Sequence, residues 1–518
     1  MLRKSPYPRF VGHGMLAAAR LRVARWDRAL AKIEEAQIAQ LRSLIGHAKG
    51  TEYGRRHRFS EVESYEDWVQ RVPVANYDDF HPSIQRMMEG ERNILVPEFV
   101  HHFGNSSGSS NKGRSKFLPI TNRQLKQQLR GAPDALYRYL VKSKDVDFPT
   151  GFTLGLFPPT TMKEQGPVKV TSNPALMFAN LPATARPVYL PRGELKEESD
   201  YDKKLKAIAD AYFDHDVRAV SGTTCWFSLL FDRLLEVARE RGRSANTVWD
   251  IWPNLRLLLG GGVSAAPYMG VLADRLGGDE FTLVDTYNAT EGGIYACSDH
   301  SGARGMLMIP DQGVFFEFVP VEQRGPDAPR VPLWAVHPGE PYSIIVTTSS
   351  GLYAYELGDI VRFTTVFPHR IEFMGRLAGC LSTTQELTTH VEIEAAVSEA
   401  LSHHPLTTVD FGAGADVGVD GTAKSRYVLF VEPEEGQSLP TPSAFAEAFD
   451  EGLQTANRVY REHRIKDAAI LAPEIHFLPP GTVKRFMQES GRTSVQTKFP
   501  RILDDESKDM LRGMLDRA

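Results

Sequence analysis

The sequence predicts an α/β protein: a large N-terminal α/β domain over residues 1–376, with a β-rich portion, and a small C-terminal α+β domain over 387–518. Three changes of texture predict it. Residues 151–286 alternate short apolar runs with amphipathic stretches, and polar or glycine-rich loops follow the runs. Strands and helices of an α/β sheet read this way, with ligands at the strand C-termini. Residues 306–373 turn β-rich, as GVFFEFVP, PYSIIVTT, GLYAYELGDIVRF and RIEFMG, punctuated by glycine and proline. After Arg376 helix and strand patterns resume on a smaller scale, so residues 377–386 are expected to be a hinge. A chain of 518 residues is long enough for more than one core.

In order, residues 20–49 carry a helical period, with Leu21, Trp26, Leu30, Ile33, Ile38, Leu41, Leu44 and Ile45 at threes and fours. Residues 51–82 mix short helices and turns, broken at Val72-Pro73-Val74. Two strand-like runs, around Phe99, Val100 and Phe103 and over 117–120, flank a serine- and glycine-rich stretch. Thr121 opens a helix with Gln124 in the capping-box position, and Gly131 and Pro133 kink or split it. A strand over 151–157 ends at Pro158-Pro159. Helices over 202–213, 225–240 and 268–276 then alternate with strands over 217–220, 255–259 and 281–286. In the small domain, helices over 391–401 and 445–460 alternate with strands over 427–431 and 474–478, and 433–442 is a linker-like loop.

The net charge of −5 and pI near 6.3 give no global pull toward nucleic acid or an anionic membrane, so any anion must be bound locally. Cys225, Cys297 and Cys380 lie far apart and form neither a metal-ligand spacing nor a disulfide framework, which fits a reducing cytoplasm. The N-terminus is basic, but the apolar run over 15–19 is too short for a signal peptide. No stretch approaches the roughly 20 apolar residues of a membrane span. The expectation is a cytoplasmic protein acting on small molecules, with its oligomeric state open.

The stretch with most chemistry is residues 101–121, HHFGNSSGSSNKGRSKFLPIT. Glycines let backbone N–H groups converge, serine hydroxyls add donors, and Lys112, Arg114 and Lys116 neutralise charge, which suits a polyphosphate. Composition alone also allows a plain Ser/Gly surface loop. Residues 108–115, GSSNKGRS, nearly satisfy G-x-x-x-x-G-K-[ST]. That pattern, however, needs a helix next, and here KFLPIT follows, with arginine where the point charge of lysine belongs. A P-loop nucleotide hydrolase is rejected.

What remains resembles the phosphate loop of adenylate-forming enzymes, [ST]-S-G-[ST]-x-G-x-x-K. After a strand, Tyr287-Asn288-Ala289-Thr290-Glu291-Gly292 is similar to their Y-x-x-T-E-G. Further matches resemble the auxin-responsive-promoter family of acyl-acid amido synthetases: GVFFEFVP, GLYAYELGD, Thr51-Glu52-Tyr53-Gly54, Val72-Pro73-Val74 and Trp252-Pro253-Asn254-Leu255. Asp450, Asn457, Tyr460, Arg464 and QTKFPR at 496–501 also match, in order, over almost the whole chain. Two departures stand out. Asn111-Lys112 lengthens the loop, and QELTTH at 385–390 lacks a lysine and a terminal glutamate of the family's G-E-K-x-T-E.

The resemblance implies an adenylate-forming-enzyme-like fold, with mixed sheets in the large domain and a mobile small domain. It implies ATP and Mg²⁺, and an ATP-dependent ligase that converts a carboxylic acid to acyl-AMP and passes the acyl group to an amine, in the family's manner an amino acid. Ser106, Ser107, Gly108, Ser109, Ser110, Gly113 and Lys116 would contact the phosphates. Tyr287 would pack by the adenine, Thr290 would meet the α-phosphate, and Glu291 would hold the metal. Asp359 would accept the ribose hydroxyls, Arg376 would reach the nucleotide near the hinge, and Lys498 would steady the carboxylate and α-phosphate. Each residue also has a plainer reading: core packing for Tyr287, a solvated loop carboxylate for Glu291, a turn-stabilising role for Asp359 and surface cations for Arg376 and Lys498. Two alternatives stay open, an acid–CoA ligase and a nucleotide-binding protein that has lost turnover. Acid-pocket walls are expected in the helix after Thr121 and around Cys225-Trp226-Phe227.

Overall fold

The computed structural model describes residues 2–106, 116–198, 201–261, 269–299, 301–324, 328–381, 383, 388–417, 419, 424–457, 460–461, 464, 470–490 and 499–517. The chain forms two compact units, Met1–Leu357 with Arg362–Glu372, and Gly358–Val361 with Phe373–Ala518.

The first unit opens with α1 (Arg9–Ala31) and α2 (Ile33–Ala48). The single helix expected over 20–49 is thus two, and the first begins earlier. Lys32 leaves the helical region at φ −122°, ψ 52°. The break turns α2 so that buried Gln37 donates to the Pro310 carbonyl at 2.8 Å and accepts from Phe316 N at 2.8 Å. Three short helices follow, α3 (Glu52–Arg56), α4 (Tyr65–Arg71) and α5 (Tyr77–Met88). β1 (His102–Ser106) and β2 (Lys116–Ile120) form an antiparallel hairpin, pairing Ser106 with Lys116 at the loop end. The helix after Thr121 divides at Ala132-Pro133 into α6 (Asn122–Gly131) and α7 (Asp134–Ser143), because Pro133 has no N–H to continue the first.

β3 (Phe152–Leu156) precedes β4 (Lys163–Gln165), β5 (Val168–Thr171), α8 (Asn173–Ala179) and β6 (Tyr189–Leu190). The alternation expected from the sequence then holds: α9 (Tyr201–Ala211), β7 (Val217–Gly222), α10 (Cys225–Glu240), β8 (Leu257–Gly261), α11 (Met269–Leu276) and β9 (Thr282–Ala289). β10 (Gly293–Cys297) and β11 (Met306–Met308) lead into β12 (Val314–Pro320), β13 (Val331–Pro332), β14 (Pro341–Thr348), β15 (Tyr355–Val366) and β16 (His369–Arg376).

These strands make two sheets. One has four strands, β2-β1-β5-β4, with β1 parallel to β5. The other has twelve, β13-β12-β14-β15-β16-β11-β10-β9-β8-β7-β3-β6. From β6 to β9 its neighbours are parallel, and from β9 to β10 it turns antiparallel. The β-rich stretch is therefore the continuation of the α/β sheet and not a separate layer. Its parallel part is covered by α9, α10 and α11, through Phe227, Leu230, Phe231, Leu234 and Leu272 packed on Val220, Leu258 and their neighbours.

In the second unit β17 (Cys380–Leu381) pairs with β18 (Thr388–Thr389). α12 (His390–His403) follows, and then β19 (Thr408–Val417), β20 (Ser425–Pro433), α13 (Pro442–Ala456) and β21 (Ile470–Phe477). α14 (Thr482–Glu489) and α15 (Asp505–Leu515) complete it. Period-two alternation on β20 serves two faces. Tyr427, Leu429 and Val431 meet α12 and α13, while Val428 and Phe430 meet Phe486, Phe499 and Leu511. α13 stops short of the helix expected to 460, because Asn457 is extended and accepts from Tyr460 N at 2.9 Å. Among the described residues no helix is long and apolar enough to cross a membrane.

Candidate active site

The turn Thr290-Glu291-Gly292 joins β9 to β10, where the large sheet changes from parallel to antiparallel. It is fixed from two sides. On one, Gly104 of β1 lies so close that a Cβ there would stand 2.6 Å from Thr290 Cγ2. On the other, Gln124 of α6 donates from Nε2 to the carbonyls of Thr290 (3.0 Å) and Glu291 (3.1 Å). Gln124 was expected in a capping box. Thr121 does cap α6, accepting from Gln124 N at 3.0 Å, but the glutamine side chain is spent on the turn. The structure thus brings the base of the serine/glycine loop and the TEG turn together, as ligand sites at strand C-termini require.

Lys116 begins β2 with its ammonium 5.6 Å from the centre of the Tyr77 ring. Burial raises the Tyr77 phenol above its usual value, and its neutral oxygen accepts from Phe117 N at 3.0 Å, which holds the strand end. Tyr287 is buried, its ring edge-on to Tyr295 at 5.5 Å. Beside it, Thr286 donates to the Gly260 carbonyl at 2.7 Å, tying β9 to the glycine-rich end of β8. Glu291 and Thr290 are half-buried in the turn. Asp359, on β15, is buried at 4% exposure and falls, like Arg376 at the end of β16, in the second unit.

The side chains of Ser106 and Arg376 lie outside the described part, as do Ser107, Gly108, Ser109, Ser110, Gly113 and Lys498 entirely. Asn111-Lys112 and residues 385–387 share that position. Among the described residues no three His, Cys, Asp or Glu side chains gather to hold a metal ion. A single half-buried carboxylate from this turn, Glu291, fits Mg²⁺, which takes one or two carboxylates and completes its shell with water and phosphate. Gly104 and Gln124 were not singled out as site residues. The signal was present: Gln124 and Gln128 fall on the buried face of α6, where the helical period calls for apolar residues.

Family models of the GH3 family match this chain in three segments: the N-terminal domain over residues 22–150, the central domain over 307–376 and the C-terminal domain over 391–507. The chain belongs to the GH3 family. The GH3 N-terminal segment contains the β1–β2 hairpin and α6, the central segment contains Asp359 and Arg376, and the C-terminal segment contains Lys498. The TEG turn lies between the matched segments. Indole-3-acetic acid-amido synthetase GH3.3 of Arabidopsis thaliana is 23% identical over 543 residues, covering 90% of this chain and 89% of the relative. A probable indole-3-acetic acid-amido synthetase, GH3.4 of Oryza sativa subsp. japonica, is 35% identical over 210 residues, 36% of this chain and 32% of the relative. Among solved structures, the AtGH3.15 acyl acid amido synthetase in complex with 2,4-DB superposes with a TM-score of 0.77 at 19% identity, over 99% of this chain and 97% of that one. A 2-hydroxyisobutyryl-CoA ligase in its postadenylation state gives 0.61 at 16% identity, over 94% and 92%. These likenesses establish the fold, that of GH3 proteins and adenylate-forming ligases.

Proposed function

We propose that this GH3 protein is an ATP-dependent acyl-acid amido synthetase. A carboxylate oxygen attacks the α-phosphorus of ATP, giving acyl-AMP and pyrophosphate. The nitrogen of an amine, an amino acid by analogy with the relatives, then attacks the acyl carbon and AMP leaves. The observation that carries this reading is the seating of the TEG turn between β1 and α6, because it sets Thr290 and Glu291 beside the hairpin that bears Lys116. Chemistry of this kind needs positioning and charge neutralisation and no nucleophilic side chain.

Each residue then has a task. Lys116 and the serine/glycine loop neutralise the departing pyrophosphate, Thr290 orients the α-phosphate, and Glu291 supplies the carboxylate that would hold Mg²⁺. When bound, the ion withdraws charge from the phosphate oxygens. Asp359 accepts the ribose hydroxyls, Tyr287 backs the base, and Arg376 and Lys498 serve the nucleotide. We take residues 377–386 as the hinge and the cytoplasm as the compartment. Pyrophosphate release with ATP across aromatic, indolic and aliphatic acids tests the first half-reaction. Parallel assays with amino acids or CoA as acceptor decide between an amide and a thioester product. ATP-dependent release with no acid, or with none of the panel, overturns the ligase reading.

A further inference from the structure

β2 ends the four-stranded sheet, so one of its sides faces β1 and the other is an edge. In an antiparallel pair the N–H and C=O of alternate residues point away from the partner. Phe117 and Pro119 have the outward parity, since Tyr77 meets both backbone groups of Phe117 and Pro119 has no N–H to present. The Tyr77 hydroxyl accepts from Phe117 N at 3.0 Å and donates to Phe117 O at 3.4 Å, as a neighbouring strand would at that point. Protection of an open edge accounts for this bond by itself. Two further observations go beyond edge protection.

The first is that the phenol is braced from behind. Tyr77 is 8% exposed and begins α5, where Asn76 accepts from Asp78 N and Asp79 accepts from Asn76 N, each at 2.8 Å. Just before this cap, Ala75 donates to the Ala354 carbonyl at 3.0 Å and accepts from Glu356 N at 2.9 Å, at the start of β15 in the twelve-stranded sheet. One side chain thus ties the edge of the small sheet to the large one. The second is the Tyr77 ring, which lies within cation–π range of the Lys116 ammonium, at 5.6 Å. Lys116 is also the residue directly before the one that the hydroxyl holds. A lysine on a long flexible stem gives up rotamer freedom when it meets a phosphate, and a pinned strand end with an aromatic face beside the ammonium removes part of that loss in advance. We propose that Tyr77 is a positioning residue for the polyphosphate of ATP, acting through Lys116. The inference rests on the ligase reading for Lys116 as a phosphate contact, and not on turnover.

The test compares the affinity of ATP with that of AMP, which lacks the β- and γ-phosphates, by calorimetry. Tyr77→Phe keeps the ring and loses the hydroxyl. It is expected to weaken ATP about 5–20-fold, the worth of one buried hydrogen bond, and AMP less than about 2-fold, which also shows that the variant is folded. Tyr77→Leu loses the ring as well and should weaken ATP about 2–5-fold further, the range of an exposed cation–π pair. In a Lys116→Ala background, Tyr77→Phe should change ATP affinity by less than about 2-fold, because the side chain it positions is gone. In steady state, the KM for ATP rises in Tyr77→Phe while that for the acid does not. Unchanged ATP affinity, equal weakening of ATP and AMP, or the same loss with and without Lys116 overturns the proposal and leaves Tyr77 as an edge cap. The ligase reading fails separately, if the wild type binds ATP but no acid releases pyrophosphate, and the affinity ratios then still decide for or against Tyr77. A wild type that binds AMP as tightly as ATP overturns the inference, since Lys116 then meets no phosphate.

Discussion

Glu291 stands in a turn held by a glycine contact and by two hydrogen bonds from Gln124, so its backbone does not depend on its own side chain. Glu291→Gln should therefore keep the fold and lose acyl-AMP formation by two orders of magnitude or more, the scale of weakening the hold on an ion that neutralises transition-state charge. Circular dichroism with pyrophosphate exchange checks both, and wild-type exchange in a folded variant would remove Glu291 from the mechanism. Asp359→Ala should weaken ATP binding by about 1.5–3 kcal/mol, the worth of hydrogen bonds to a charged acceptor, while acid binding is spared. Calorimetry reads the two separately. A third residue governs stability and not chemistry. His369, buried on β16 against the Phe363 ring, has its pKa pushed down by burial from 6.5 to about 4, against the opposing pull of a hydrogen bond to the Leu333 backbone. Its folded value lies below its unfolded one, so the neutral imidazole contributes fully above about pH 6.5. That contribution drains away as the pH falls toward 4, a span worth roughly 3 kcal/mol. His369→Phe should flatten the urea midpoint between pH 7 and pH 5 relative to wild type.

Among the elements, the contact between β1 and the β9–β10 turn lends itself to direct testing. Gly104→Ala places a methyl 2.6 Å from Thr290 Cγ2, and since Ile120 also closes in at 3.1 Å, the turn has to give way. If the turn serves the chemistry as proposed, displacing it by a fraction of an ångström is expected to lower pyrophosphate release about tenfold or more. Thr290→Ser, which drops that methyl and keeps the hydroxyl, should restore most of the loss in the double variant. Full activity in Gly104→Ala alone would mean the turn is free to shift. Elements with a clear period were legible in the sequence: α10 to its first and last residue, and α9, β7, β8 and β9 to within a few positions. β19 was missed, and the reason is physical. Its run, TVDFGAGADV, reads as a loop because of Gly412 and Gly414. Those glycines are there because Pro500 O and the Lys508 side chain pass 2.4 Å from where their Cβ atoms would be. A strand that another segment crosses closely loses the residues that advertise a strand. α6 misled differently, since its buried Gln124 answers to a turn more than 160 residues downstream that no local pattern contains.

At the scale of the whole molecule, two compact units and two half-reactions invite a kinetic dissection. If Lys498 serves adenylation alone, Lys498→Ala should depress pyrophosphate exchange by orders of magnitude and leave the amine's consumption of preformed acyl-AMP nearly normal. Equal loss in both assays would indicate damage to the fold of the second unit, and no loss in either would make Lys498 a surface cation. The two sheets of the first unit carry another consequence, for autonomy. The chain lays down β1 and β2 in the small sheet, crosses to β3 in the large one, then returns for β4 and β5, so neither sheet can close before the other has begun. The N-terminal family segment ends at residue 150, before β5, the parallel neighbour of β1, and before the first strand of the large sheet. A fragment cut there keeps a hairpin with no sheet to join, and a lone hairpin is marginal in water. The segment that recurs as a unit of sequence is thus not a unit of folding. Inheritance can shuffle it only together with the strands that complete it.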